Sequence, residues 1–328
     1  MGYRVVLLTD DDGSQSGGLA PRDQALCDAL AHGGHQVATA QLGEGLVPCL
    51  AGDRPDAVMS ALTGSAGHDG SIPALLDVLQ VPFVGSPASV CRSAWDRSTL
   101  EYVVDAVNRS GQAEPACPNG LCLPAAAFAS WGAATVLEQV VDRLPGGYPV
   151  SVRPACSPTP LDRRRADDAA QLAGALTAVS AAGGEVLVED WIGGVELAVP
   201  VLGTGERAYA LPPVEVRSAA GDGEAALPVA GRVGRAPVPA ELLSPHADET
   251  EAIRSEIERT AVSLHCAYGC RGLSCVHLVW DGARPVVLAV DAAPALSPEA
   301  FVPQAAQVAG ISLPALLTAL LEAAVEGD

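Results

Sequence analysis

Five thiol or imidazole side chains fall within the thirteen residues "HCAYGCRGLSCVH": His265, Cys266, Cys270, Cys275 and His277. On a helix, Cys266 and Cys270 share a face; in extended chain, Cys275 and His277 do the same. Zinc takes tetrahedral sulfur and nitrogen ligands of this kind. The spacing matches no finger or ribbon, however, so buried free thiols are the simpler reading. "TDDDGS" (9–14) places three acids at the end of a first strand, where a cation or amine could be received. An exposed acidic turn is the simpler reading. Arg163, Arg164 and Arg165 offer positive charge to an anion, but read first as a solvated run before a helix. His32 and His35 flank a Gly-Gly turn and are expected to face solvent. No G-x-S-x-G elbow, Walker A string or H-E-x-x-H is present.

Bulk composition narrows what these groups can serve. At 328 residues the chain is long enough for two or three packed lobes. Hydrophobic residues make up 49% and aromatics 4%, a balance that suits an α/β protein with buried strands. A net charge of −20 repels phosphate backbones and anionic lipid, so no nucleic-acid and no membrane partner is expected. All 19 basic residues are arginine, so no lysine is available for any role. Nine cysteines are too dilute for a disulfide scaffold, and their odd number favours free thiols. "MGYRVVLLTD" reads as a strand from its start, and no uncharged apolar run is long enough to span a bilayer. A reducing, cytoplasmic location is the expectation.

The elements that would position these groups alternate strand and helix through the first third. Strands are expected at 3–9, 35–42, 55–62 and 81–86, with helices at 21–34 and 71–80. This is the pattern of an open parallel sheet, which binds ligands at its strand C-terminal ends. A Pro/Cys/Gly-rich connector (110–124) precedes a strand at 125–130, a helix at 133–144, a strand at 148–155, a helix at 167–182 and a strand at 184–192. The remainder is strand-rich at 195–203 and 206–217. It also holds a helix at 248–269, a hairpin beginning at Cys275 and a closing helix at 312–327.

Four strings in this order resemble those of the D-alanine–D-alanine ligases of the ATP-grasp superfamily: "ALTGSAGHDGSIPALLDVLQVPFVGS" (61–86), "GGYPVSVRPA" (146–155), "EVLVEDWIGGVELAVPVLG" (185–203) and the segment 268–317. The resemblance implies an α/β, three-lobed ATP-grasp fold. Its lobes would be an N-terminal open parallel sheet (1–90), a central lid subdomain (91–192) and a C-terminal α+β subdomain (193–328). It implies ATP as cofactor, a small-molecule partner (nucleotide, D-amino acid or peptide-like carboxylate) and a homodimer. In that family ATP phosphorylates a carboxylate and an amine attacks the acyl phosphate. Lys, Arg and a divalent metal neutralise the transferring oxygens. By resemblance, Arg97 and Arg153 stand where the family has phosphate-binding lysines, and guanidinium keeps the charge. Glu189, Asp190, Trp191 and Ile192 match the adenine-binding hinge, and Glu196 the acid that accepts ribose hydroxyls.

Elsewhere the sequence departs from the family. The Gly-rich phosphate flap is replaced by "CSPTPLDRRRADD" (156–168), where Pro158 and Pro160 lack N–H donors. The magnesium Asp, Glu and Asn positions hold His277, Ala289 and Asp291, leaving one carboxylate where two are usual. The catalytic Arg position is Cys275, and the substrate-loop Gly and Ser positions are Ala295 and Ala300. No carboxylate lies in 13–21 to grip a substrate ammonium, Thr63 replaces a family His, and His68 replaces a Glu. The expectation is a divergent member with a degenerate site. That would be a pseudo-ligase or repurposed protein, with a specialised biosynthetic pathway as one setting, in which magnesium is doubtful. The alternatives are an active ATP-dependent carboxylate–amine ligase of altered substrate, using Arg97, Arg153, Asp291 and His277, or a non-ATP enzyme that reuses the cleft.

Overall fold

The computed structural model describes residues 2–10, 19–143, 146–157, 163–181, 183–218, 232–244 and 246–327. Strand β1 (Arg4–Thr9) is a Val/Leu run buried on both faces, as a central parallel strand must be. It pairs in parallel with β2 (Gln36–Gln41) and β3 (Ala57–Ser60). Helices α1 (Pro21–His32), α2 (Leu46–Asp53), α3 (Ser65–His68) and α4 (Ser71–Leu79) complete this first lobe. The expected strand at 81–86 is reduced to one bridge, Val58 with Phe83. Pro82 has no N–H, so it contributes only its carbonyl, to Val58 N at 2.8 Å. His35, expected to face solvent, is 5% exposed. Its ring stacks on Tyr3 at 5.6 Å, accepts from Tyr3 N and lies 3.0 Å from Thr318 Oγ1, so the turn folds inward.

Helices α5 (Ala88–Trp95) and α6 (Leu100–Ser110), unread in the sequence, lead to a four-stranded antiparallel sheet. It contains β4 (Gly120–Leu123), β5 (Val150–Pro154), β6 (Arg164–Ala166) and β7 (Val186–Asp190), in the order β4-β7-β5-β6. The strand expected at 125–130 is instead the start of α7 (Ala125–Arg143), and the strand itself lies earlier, at β4. "AAAFAS" is alanine-rich with no β-branched residue, so helix propensity decides. Val140 of α7 and Leu172 and Leu176 of α8 (Ala169–Ser180) pack on Val152 and Val188 of this sheet.

The largest sheet runs β11 (Arg232–Arg235), β10 (Val214–Ser218), β8 (Val195–Leu202), β12 (Leu273–Trp280), β13 (Pro285–Asp291), with β9 (Tyr209–Ala210) against β8. Every residue of β12 is buried. Its side chains alternate: Val276, Leu278 and Trp280 meet Ile257 and Leu264, whereas Leu273, Cys275 and Val279 join the core shared with the first lobe. Ile257 and Leu264 belong to α10 (Ala247–Tyr268), which follows the short α9 (Ala240–Leu243). The opposite face is covered by α11 (Phe301–Val308) and α12 (Leu313–Glu326), and their core includes Leu7, Leu26 and Leu30. The first lobe is thereby fixed against the C-terminal hairpin.

Candidate functional site

The hairpin forms as expected from the sequence. Cys275 pairs with Asp291 and His277 with Ala289, so all four side chains lie on one face. What meets that face comes from the first lobe. His68 Nδ1 lies 3.3 Å from Asp291 Oδ1, which also accepts from Ala293 N at 3.0 Å. The two side chains are 12% and 11% exposed. Burial alone would lower the imidazole pKa and raise the carboxyl pKa. The opposite charges override it, holding His68 above and Asp291 below their ordinary values. Trp95 stacks on the His68 ring at 6.2 Å. Gly70, at φ 86°, lets the chain turn here, since a Cβ would sit 2.4 Å from Ala88 O. His277 is packed edge-on against Phe301 at 5.9 Å.

Magnesium needs several hard oxygens. This face carries one carboxylate, already paired to an imidazole, beside a second imidazole, a methyl group and a thiol whose pKa burial pushes well above its ordinary value. These residues do not fit the ion. Ala300, at the family serine position, is the N-cap of α11 and has no side-chain oxygen to offer.

The two arginines at family lysine positions are buried side by side. Arg153 is 1% exposed. Its Nε lies 2.8 Å from Glu189 Oε2, and its Nη2 donates to Glu189 Oε1 and to Leu288 O, both at 2.9 Å. The register explains the pair: Ser151 is opposite Glu189 and Arg153 opposite Leu187, so the two charges meet diagonally on one face. Arg97 donates to Ser157 O at 3.0 Å and Ala155 O at 3.4 Å. Burial, then the neighbouring Arg153, lowers its pKa to about 10.

The expected base-and-ribose side of the cleft is filled by the chain itself. The Arg163 guanidinium lies 4.2 Å from the centre of the Trp191 ring and is ion-paired with Glu196. Arg165 approaches the same ring at 5.3 Å. The solvated arginine run expected before a helix is therefore corrected. Arg163 is 2% exposed, Arg164–Ala166 form a strand, and only Arg164 and Arg165 are exposed. Arg163 stands just before β6 and on the same side as Arg165, and both guanidinium groups approach the Trp191 ring, a contact only the paired sheet reveals. Asp190 Oδ2 accepts from Asn119 at 2.9 Å, and Ile192 packs against the core. Gly194, at φ 141°, carries the chain from β7 into β8, because a Cβ there would lie 2.2 Å from Trp280 O. That turn places Trp191 and Glu196 within reach of one guanidinium.

At the C-terminal end of β3, a cavity of about 390 Å³ opens between the first lobe and the loop after β13. Beside it stands a network the sequence did not reveal. Arg22 Nη2 donates to Asp10 Oδ2 at 2.8 Å, and its Nε lies 3.2 Å from Asp23 Oδ1. Thr63 N and Oγ1 donate to the same Asp10 oxygen, at 3.0 and 2.6 Å. Burial would raise the Asp10 pKa, but these donors together lower it. Pro21 and Asp23 mark a helix start in the sequence; only the tertiary fold shows Asp23 2% exposed in a cavity wall. Asp11 and Asp12 and the flap prolines Pro158 and Pro160 lie outside the described residues.

None of the nine cysteines is in a disulfide. Cys266 is exposed, whereas Cys270 and Cys275 are buried, and His265 is taken up by Ser274 Oγ and Gly203 O. Among the described residues no group of three or more His, Cys, Asp or Glu could hold a metal.

The sequence model of the family described as "D-ala D-ala ligase C-terminus" matches residues 127–322, more than half of the chain. The chain belongs to the D-alanine–D-alanine ligase family. A D-alanine–D-alanine ligase of Rhodospirillum rubrum is 30% identical over 330 residues, covering 99% of each chain. One of Bordetella avium is 29% identical over 265 residues, 80% of this chain and 76% of that one. Among solved structures, the VanG D-Ala:D-Ser ligase of Enterococcus faecalis superposes with a TM-score of 0.73 at 15% identity, covering 98% of this chain and 99% of that one. The D-alanine–D-alanine ligase of Bacillus anthracis complexed with ATP gives 0.69 at 17% identity, over 99% and 98%. The α/β ATP-grasp fold of the family is thus present end to end. Among the described residues, no single helix is long and apolar enough to cross a membrane.

Proposed function

We propose that this family member is repurposed. It does not carry out canonical magnesium- and ATP-dependent D-Ala–D-Ala ligation, and it binds a small molecule in the retained cleft, with a specialised biosynthetic role as its setting. The observation that carries this reading is the His68–Asp291 pair on the hairpin face. An imidazole from the first lobe neutralises the single carboxylate left there, so the site is internally satisfied without a divalent ion. The missing metal carboxylates, the Cys275 and Ala300 substitutions and the arginine over Trp191 support the same conclusion. Nucleotide affinity, where retained, would come from Arg97 and Arg153 and would not require metal.

One observation favours a second reading, an ATP-dependent carboxylate–amine ligase of altered substrate. Arg97 lines a small cleft that shares Cys91 and Ala292 with the substrate-sized cavity, which a pure scaffold would not need. The readings separate in one assay: purified protein with ATP, magnesium and a panel of D-amino acids, followed for phosphate release and for condensed product by mass spectrometry. The repurposed reading expects neither. Phosphate release coupled to a dipeptide product would overturn it in favour of the ligase.

A further inference from the structure

Met59, Ile72, Leu76 and Phe83 of the first lobe, with Leu273 and Leu296 of the C-terminal lobe, give the cavity at the end of β3 an apolar wall. Its volume of about 390 Å³ lies within the roughly 300–1,000 Å³ of small-molecule sites. An alanine methyl would leave most of that wall in contact with water. Apolar surface removed from water is the main source of affinity in such a site.

The polar side chains of the same lining are already bonded within the protein. Arg22 donates to Asp10 at 2.8 Å and to Asp23 at 3.2 Å, so the charges of the first-lobe wall, Arg22 and Asp23, are paired with each other. Thr63 Oγ1 donates to Asp10 at 2.6 Å, and Ser60 Oγ accepts from Leu62 N at 3.4 Å. Ser86 Oγ accepts from Arg271 N at 3.0 Å, and the Cys91 thiol donates to Ser86 O at 3.4 Å. Ser297 and Glu299 stand on the loop after β13, where Glu299 is exposed. An ammonium or carboxylate entering beside these satisfied groups would lose water without gaining an ion partner, which opposes its binding.

We infer that this cavity takes an uncharged molecule whose apolar body is several carbons larger than an alanine methyl, held by burial of that body. The inference rests on the reading that the retained cleft binds a small molecule, and it names the ligand class. Binding is tested without nucleotide, so that it stands or falls separately from turnover.

Three probes share one body: 3-phenylpropanol is uncharged, 3-phenylpropylamine is a cation and 3-phenylpropionate is an anion. D-alanine is the small zwitterion. Each is titrated calorimetrically into the full-length protein, with thermal shift in parallel. The alcohol is expected to raise Tm and to bind at least tenfold more tightly than the amine, the acid or D-alanine. Across 2-phenylethanol, 3-phenylpropanol and 4-phenylbutanol, affinity should rise roughly fourfold per methylene, with a negative heat-capacity change on binding. Ala61→Leu in the first lobe and Ala293→Leu in the loop after β13 add carbons at half-buried lining positions, and at least one should weaken the alcohol tenfold. Equal or tighter binding of the amine or the acid, no binding of the alcohol, or unchanged binding in both Leu variants would overturn the inference. Tighter binding of a charged probe would leave the repurposed reading standing, whereas phosphate release with a dipeptide product would overturn that reading and not this inference.

Discussion

Replacing Arg163 by alanine uncovers the flat face of Trp191 and frees Glu196, the two groups that would meet a base and a ribose. In the present structure the guanidinium is 2% exposed, 4.2 Å from the Trp191 ring centre and ion-paired with Glu196. A largely desolvated cation–π contact contributes up to about 2 kcal/mol. The ion pair adds a further fraction, discounted because the Glu196 side chain remains 15% exposed to solvent. A nucleoside must displace both contacts, so its apparent affinity is reduced by their combined strength. At about 1.4 kcal/mol per factor of ten, Arg163→Ala should tighten ADP or ATP binding by roughly ten- to thirtyfold. The assay is calorimetric titration, with quenching of Trp191 fluorescence as a local readout. Arg165→Ala is the control: its guanidinium is exposed and farther from the ring, at 5.3 Å, and its removal should change affinity by less than about threefold. If Arg163→Ala leaves nucleotide affinity unchanged or weakens it, Arg163 does not occlude a base site.

Three further outcomes follow from the same geometry. The double change Ala289→Glu and His277→Asp adds two carboxylates to the face that already holds Asp291; it should lower Tm without metal and recover it on adding magnesium, and an unaltered Tm response would contradict the hairpin assignment. Glu189→Ala removes the partner of a fully buried guanidinium and should cost about 3–5 kcal/mol in urea unfolding, whereas a loss under about 1 kcal/mol would mean the pair is not structural. His265 is buried and neutral, its pKa lowered by desolvation to about 4 from 6.5. Its contribution is therefore complete above pH 6.5 and lost as pH falls towards 4, on the order of 3 kcal/mol in all. His265→Gln should flatten that part of the stability–pH curve, and an identical slope in both proteins would refute the attribution.

Much of the fold was legible because its signals are local. The Val/Leu run of β1, the Pro21 helix start and the alternating hairpin from 273 to 291 each announce themselves within a few residues. The hairpin register was also recoverable, since period-two alternation and a short turn leave little freedom. The misreadings have equally local causes. "AAAFAS" lacks the β-branched residues that distinguish a strand, whereas α6 was legible in principle, since Leu100, Val104 and Val107 recur at helical spacing. The candidate site was legible as residue types but not as contacts. His68 and Asp291 are 223 positions apart, Arg163 and Glu196 are 33 apart, and Asp23 shares its cavity wall with Leu273 and Leu296 from the far end of the chain. A sequence shows that a carboxylate is missing from a magnesium face; only the fold shows which group has moved into its place.

His68 pairs with Asp291 on the hairpin face that, in a magnesium-dependent ligase, would hold the ion. The most direct test is calorimetric titration of ATP into the protein in excess EDTA and again in excess magnesium. The same affinity is expected in both, within about twofold, since the hairpin face offers the ion no second carboxylate. Tightening of tenfold or more with magnesium would contradict it.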